Sequence, residues 1–226
     1  MEHLMKLELK KVRFKNYILL SALMIVLSMF FVFVELNDTS VGVRTFDNTF
    51  RTVEMIFAFV FIMLFSILNS ALVIGEYNNR TILLMFTYPV GKKKVIASKL
   101  LMITIFITVS MIVGYVLCSF FIVEIDRRFD LLDGEFTMDV LGGWISRAAV
   151  TVIVFCCLGL WTFAVGMIKK SVAATIVSSV VFIFLRQVVI ASSESQQENI
   201  WVVSMTAGIT VAAIWYVFVK KITELD

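Results

Sequence analysis

Hydrophobic positions along this chain fall in long unbroken blocks, without the alternation of a half-buried strand or the narrow stripe of a water-facing helix. Six blocks are long enough to cross a bilayer: Tyr17–Val34, Val53–Ile74, Leu100–Val123, Leu141–Ile168, Val172–Ile190 and Ile200–Val219. A helix of about 20 apolar residues matches the roughly 30 Å hydrocarbon core, and lipid offers no partners for an open backbone, so the blocks are expected to be helical. They predict an all-α polytopic membrane protein with six transmembrane helices, a single membrane domain over residues 1–226. The first block follows a basic arm and no small-residue cleavage motif comes after it, so it reads as a retained span and not as a removed signal peptide.

Composition sharpens this reading. Of the 226 residues 60% are apolar and 16% are charged, against roughly 25% charged in an average soluble domain. That composition cannot clothe a globule in water. The three cysteines, Cys118, Cys156 and Cys157, all lie inside apolar blocks without metal-ligand spacing, so neither a disulfide framework nor a zinc site is indicated. The single histidine is His3, which removes His-based metal motifs and Ser/His/Asp catalysis. No phosphate-binding glycine loop is present. The chain therefore reads as no enzyme by itself and as binding no cofactor.

The net charge of +3 becomes informative once it is divided between alternate segments. Fourteen Lys and Arg fall in the N-terminal arm, the loop after the second block, the link after the fourth and the C-terminal tail; four (Arg44, Arg51, Arg127, Arg128) fall in the other loops. Short basic segments stay cytoplasmic, which predicts a multi-pass protein with both termini in the cytoplasm. Twelve of the 17 acidic residues lie on the opposite side. The basic residues adjoin hydrophobic spans, which argues against nucleic acid as a partner and for membrane lipid.

Two cytoplasmic segments carry more pattern than the rest. Residues 1–16 contain no Pro or Gly; Lys6, Lys10 and Arg13 share one helical face and Leu4, Leu7 and Phe14 another, as in an amphipathic helix lying on a membrane surface. The loop Gly75–Lys99, GEYNNRTILLMFTYPVGKKKVIASK, is 25 residues long. Within it Arg80–Tyr88 is an apolar run too short to span, the only proline, Pro89, ends that run, and Lys92, Lys93 and Lys94 form a basic anchor at the surface. The order Glu76, Thr81, Leu83 and Leu84, Pro89, Lys92 to Lys94, then Lys99 at the start of the next span resembles the loop between the second and third spans of type-2 ABC-transporter permeases. The arm resembles that family's elbow helix, and size and span number agree.

The resemblance implies a permease subunit of an ATP-driven exporter in a bacterial cytoplasmic membrane. It implies a second permease copy or a different permease as partner, and separate cytoplasmic ABC ATPase subunits that bind ATP and Mg. In the family the loop holds a coupling helix that docks on the ATPase, which here would use Glu76, Arg80, Thr81, Leu84, Pro89, Lys92, Lys93 and Lys94. The short polar segment Ala191–Asn199 departs from the longer segment many members have there. With the larger loop Glu124–Val140, it makes the chain most similar to the compact permeases of bacteriocin or lantibiotic immunity and amphipathic-peptide export. The expected cargo is hydrophobic or amphipathic: a peptide, an antimicrobial or a lipid-like molecule. A membrane scaffold or sensor holding a non-ATPase partner is the alternative, and an oligomeric channel the next.

Charges inside spans are costly, about 2.5–3.5 kcal/mol each at the bilayer centre on insertion scales. Arg147 and Arg186 read either as anchors that snorkel outward, or as contacts for an acidic substrate group or partners of Glu54. Asn69, Thr104 and Thr108, with Ser21, Ser28, Ser66 and Ser70, are candidates for a wet substrate path. Gly114, Cys118, Gly159, Ala164, Gly166, Ala174, Ser178, Gly208 and Ala212 mark close helix packing. The 21 Phe read mainly as lipid-facing bulk.

Overall fold

The computed structural model describes residues 14–37, 45–75, 92–129, 131–132, 137–191, 208–210, 212–213 and 215–216. Five helices account for nearly all of them: α1 (Phe14–Asn37), α2 (Phe46–Asn69, continued by a π-helical turn Ser70–Ile74), α3 (Lys92–Phe129), α4 (Met138–Lys169) and α5 (Val172–Ala191). The residues described from 208 to 216 are also helical, inside the expected sixth span; the rest of that span lies outside the described residues, as do the elbow arm and residues 76–91. Four helices are long and apolar enough to cross a membrane, and α5 is a shorter apolar helix.

Helix ends run beyond the apolar blocks. α2 starts seven residues earlier than its block, at Phe46, because Thr45 is a good N-cap: its Oγ1 accepts from Asn48 N at 3.4 Å, and Asp47 places a carboxylate in the first turn. α3 is 38 residues long, roughly 57 Å at 1.5 Å per residue, so both of its ends outrun the hydrocarbon core. Lys92, Lys93 and Lys94 are consequently the first turn of α3, not a separate surface anchor ahead of it, since nothing in KKKVIASK breaks a helix. α4 closes at Lys170, in the left-handed conformation at φ 50°, and Ser171 Oγ accepts from Ala174 N to start α5 after a two-residue turn.

Successive helices are antiparallel, each pair tied where one ends and the next begins. Thr52 donates to Glu35 at 2.7 Å between α2 and α1, Lys99 to Leu72 O at 3.2 Å between α3 and α2, and Trp144 Nε1 to Ser119 Oγ at 2.7 Å between α4 and α3. α2 packs against all four other helices. Its apolar window is 72% buried, that of α1 only 22%, so α2 is the centre of the bundle and α1 its lipid-facing edge.

The packing rests on rings against glycines. A Cβ on Gly159 of α4 would stand 2.5 Å from the Phe65 ring, and one on Gly114 of α3 would stand 2.6 Å from Phe57. Gly166 is likewise closed off by Ile74 and Thr175. Close approach through small residues is how helices associate in lipid. The phenylalanines divide by helix: Phe50, Phe57, Phe61, Phe65, Phe155 and Phe163 are fully buried, whereas Phe30, Phe31 and Phe120 are exposed. Treating them together as lipid-facing bulk is therefore corrected for α2 and α4, whose rings fill the core.

Gly159→Val should destabilise the bundle by about 1–3 kcal/mol, the cost of overpacking. Gly142→Val, where a Cβ meets nothing within 4 Å, should be near neutral; thermal unfolding of the detergent-solubilised protein compares them.

Candidate functional site

Two polar clusters stand out within the apolar bundle, one at each end of α2. The first is where α2 leaves the bundle toward residues 76–91. The π turn Ser70–Ile74 inserts an extra residue per turn and changes which carbonyls find partners within the helix. Leu72 O receives Nζ of Lys99, a lysine only 2% exposed. A buried ammonium satisfied by a carbonyl is costly to form and more costly to break, so this bond holds together the two helices that flank the loop. One turn before, Asn69 is fully buried; its Nδ2 donates to Gly159 O on α4 at 3.3 Å, and its Oδ1 has no hydrogen-bond partner. The π turn therefore touches α3 through Lys99 and sits beside an amide bridge to α4.

The second cluster is at the opposite end. Arg147 on α4, 17% exposed, lies with Nε 3.3 Å from Glu54 Oε1 and Nη2 2.6 Å from Asp47 Oδ1, both on α2. The Nη2 contact is close without hydrogen-bond alignment. Asp47 also pairs with Arg51, one turn on, at 2.9 Å. Arg147 thus lies against Glu54 and Asp47, the arrangement expected of a partner of Glu54. Once α2 begins at Phe46, Asp47 and Glu54 lie two turns apart on one face of the same helix, toward α4. Beside them an aromatic ladder crosses three helices: Phe50 stacks on Trp144 at 4.5 Å, Tyr115 stands edge-on to Trp144 at 5.2 Å, Phe57 stacks on Tyr115 at 4.7 Å, and Phe61 on Phe57 at 5.2 Å. Arg186 of α5 lies 4.7 Å over the Phe155 ring.

The hydroxyls expected to line a wet path bond to backbone carbonyls of their own helices. Thr104 donates to Leu100 O and Thr108 to Thr104 O, and Ser21, Ser28, Ser66 and Ser70 each donate to a carbonyl three residues back. A short hydroxyl in an apolar helix satisfies itself on its own backbone. Thr108 also lies 3.2 Å from Cys156 Sγ, joining α3 to α4. Thr104 and Thr108 thus bond within α3, and Asn69 bridges α2 to α4.

Of the residues expected to couple to an ATPase, Glu76, Arg80, Thr81, Leu84 and Pro89 lie outside the described residues, Lys92 and Lys93 are described only as backbone, and Lys94 is exposed at the start of α3. Lys99, read only as the lysine that opens the third span, is the one whose bond organises this end. The lone lysine following KKKVIAS at the apolar boundary is the signal for it. Among the described residues no group of His, Cys, Asp or Glu could hold a metal.

Helices of this length, apolar on their outward faces and polar only at internal contacts, define a multi-pass α-helical membrane protein. Residues 4–186 match the ABC-2 family transporter proteins, and the chain belongs to that family. It is 31% identical over 191 residues, 81% of this chain and 82% of the relative, to the uncharacterized protein YcbO of Bacillus subtilis (strain 168). No solved structure matches. The family's membrane components are permeases that do not catalyse hydrolysis themselves and pair in general with ABC ATPases.

Removing one partner of a buried ion pair strands the other charge, so Arg147→Gln and Glu54→Gln should each cost about 3–5 kcal/mol. The double variant should cost less than the two together, which a double-mutant cycle on unfolding midpoints reads. Lys99→Met removes a charged hydrogen bond worth about 1.5–3 kcal/mol, and should speed amide exchange selectively at residues 72–75.

Proposed function

We propose that this chain is the membrane-spanning permease subunit of an ATP-driven exporter, both termini cytoplasmic, working as a pair with a second copy or a different permease. Separate cytoplasmic ATPases supply the energy. Membership of the ABC-2 family over residues 4–186 carries this reading. The loop on the basic side of the chain is the proposed docking point: the run Arg80–Tyr88 forms the coupling helix, with Glu76, Thr81, Leu84 and Pro89 shaping it and Lys92, Lys93 and Lys94 continuing into α3. Closure of the ATPase dimer pushes on that helix. Its two flanks are α2 and α3, which Lys99 bonds together, so force applied to the loop reaches the buried central helix and not only the lipid-facing edge.

The cargo proposed is hydrophobic or amphipathic: a peptide, an antimicrobial or a lipid-like molecule. The span interiors support this, since their described polar side chains are mostly engaged with backbone or with one another and leave largely apolar surface. No carboxylate triad suited to a coupling cation is found among the described residues, and ATP is the fitting energy source.

Co-expression with its cognate ABC ATPase should yield a complex that survives purification and hydrolyses ATP. Leu84→Pro, which interrupts a helix at about 3 kcal/mol, should lower cargo-dependent ATP hydrolysis at least tenfold while the protein still inserts. Undiminished stimulation in that variant would sink the coupling role of this run. A stable complex with a partner lacking ATPase activity would instead favour the scaffold.

A further inference from the structure

Between the Asn69 bridge and the loop, α2 changes its hydrogen-bond spacing. Ser70 N bonds to Ser66 O, four residues back, whereas Gly75 N bonds to Ser70 O, five residues back. The turn therefore contains one residue more than an α-helix would use there. Nothing in Ser70–Ile74 calls for that spacing: the stretch has no proline, and its one polar side chain, Ser70, donates to Ile67 O behind the turn. What holds the turn comes from other helices. Lys99 of α3 donates to Leu72 O at 3.2 Å, and Ile74 sits against Gly166 of α4, where a side chain would leave it no room.

Both contacts survive a shift by one residue. If the turn gives up its extra residue and becomes α-helical while Asn69 stays bonded to Gly159 O, every residue after it advances one position, about 1.5 Å along the axis and roughly 100° around it. Ala71 then brings its carbonyl to Lys99 in place of Leu72, and an ammonium that reads a carbonyl does not distinguish the two. Val73 comes to Gly166 in place of Ile74; both are buried and β-branched, and Val73 is the smaller. Ala71 is exposed, so no packing resists its turning. Gly75 keeps the present spacing open, because a Cβ there would stand 3.1 Å from Ser70 O.

We propose that the turn Ser70–Ile74 is a one-residue ratchet at the base of the 76–91 loop, exchanging between this π register and an α register. Lys99 latches each, through Leu72 O in the first and Ala71 O in the second. Asn69, fully buried on Gly159, is the fixed point: α2 before it stays attached to α4, and the chain after Ile74 turns. The exchange reorients the loop without any helix leaving its place in the bundle. Its use in transport rests on the permease reading, but the ratchet itself does not, and its test contains neither ATPase nor ATP, so the two fail separately.

The full-length protein, with Cys118, Cys156 and Cys157 replaced by alanine, is placed in phosphatidylcholine nanodiscs. One spin label is put at Tyr77→Cys, and its partner at Ile168→Cys on α4 or Leu101→Cys on α3, both exposed positions. Pulsed electron paramagnetic resonance should give two distances, several ångströms apart, from at least one partner. Gly75→Ala crowds the π register and favours helix, and should raise the share of the second distance at least threefold. Deleting Ala71 removes the extra residue while leaving Ile74 at Gly166, and should leave the first distance alone. A single distance from both partners in wild type and Gly75→Ala alike overturns the ratchet, as do two distances whose shares Gly75→Ala leaves unchanged or that persist after the deletion. Near-ultraviolet circular dichroism checks each fold, and if the deletion does not fold, the comparison of Gly75→Ala with wild type decides alone.

Discussion

Helices dissolved in lipid gain little by hiding apolar surface from one another, because the lipid tails are as apolar as their side chains. What draws them together is contact at close range. In this chain that constraint falls on α2, whose rings seat in notches that lack a side chain: Phe57 at Gly114 and Phe65 at Gly159. Each notch lets two backbones approach and lets a large ring gain dispersion on both faces. Everything else in the bundle is arranged by which helices α2 can reach in this way. α1 has fewer such contacts, and most of its surface is left for lipid.

The polar contacts follow from the same closeness. Asn69 bridges to the carbonyl of Gly159, the residue whose missing side chain admits Phe65, so ring and amide exploit one gap. Arg147 can meet Glu54 and Asp47 because α2 and α4 run side by side. A buried ion pair of this kind contributes little net stability, since desolvation offsets most of its attraction. Its effect is to exclude other registers, because sliding α4 past α2 by one turn would strand Arg147 and Glu54 in the bundle, while Asp47 keeps Arg51.

The spans and their helical nature were legible because a bilayer demands long apolar runs and leaves only one way to satisfy their backbone. Helix ends were less legible. Apolar runs mark where lipid begins, whereas helices end where capping and chain geometry allow, as at Thr45 for α2 and across Lys92–Lys94 for α3. The small residues were readable as packing sites, but not which aromatic each would receive, since a phenylalanine facing lipid and one facing a glycine look alike in sequence. Arg147 was visible as an anomaly, yet its resolution inward depended on Asp47 and Glu54 belonging to the same helix, which the apolar run beginning at Val53 hid. Lys99 was hidden more deeply, because its acceptor is a backbone carbonyl freed in a π turn, and no side-chain pattern announces that.

These contacts make α2 and α4 a mechanical unit. They are joined at Glu54 with Arg147 near one end and at Asn69 with Gly159 near the other, points that a helical rise of 1.5 Å per residue sets roughly 20 Å apart. Two attachments that far apart resist both sliding and tilting of one helix against the other, where a single attachment would permit rotation about itself. The connection of α2 to α3 is distributed differently: a charged bond at Lys99 next to the loop, then mainly stacked rings and a glycine notch farther along. Stacked rings slide more readily than ion pairs part, because dispersion changes gradually with offset and a stranded charge does not. The bond at Lys99 therefore ties α3 to a helix that is itself fixed to α4 at two points. The side of α3 from Ile105 through Val116 to Phe120 faces lipid, while its inner side is also bonded to α4 at Ser119 and Thr108.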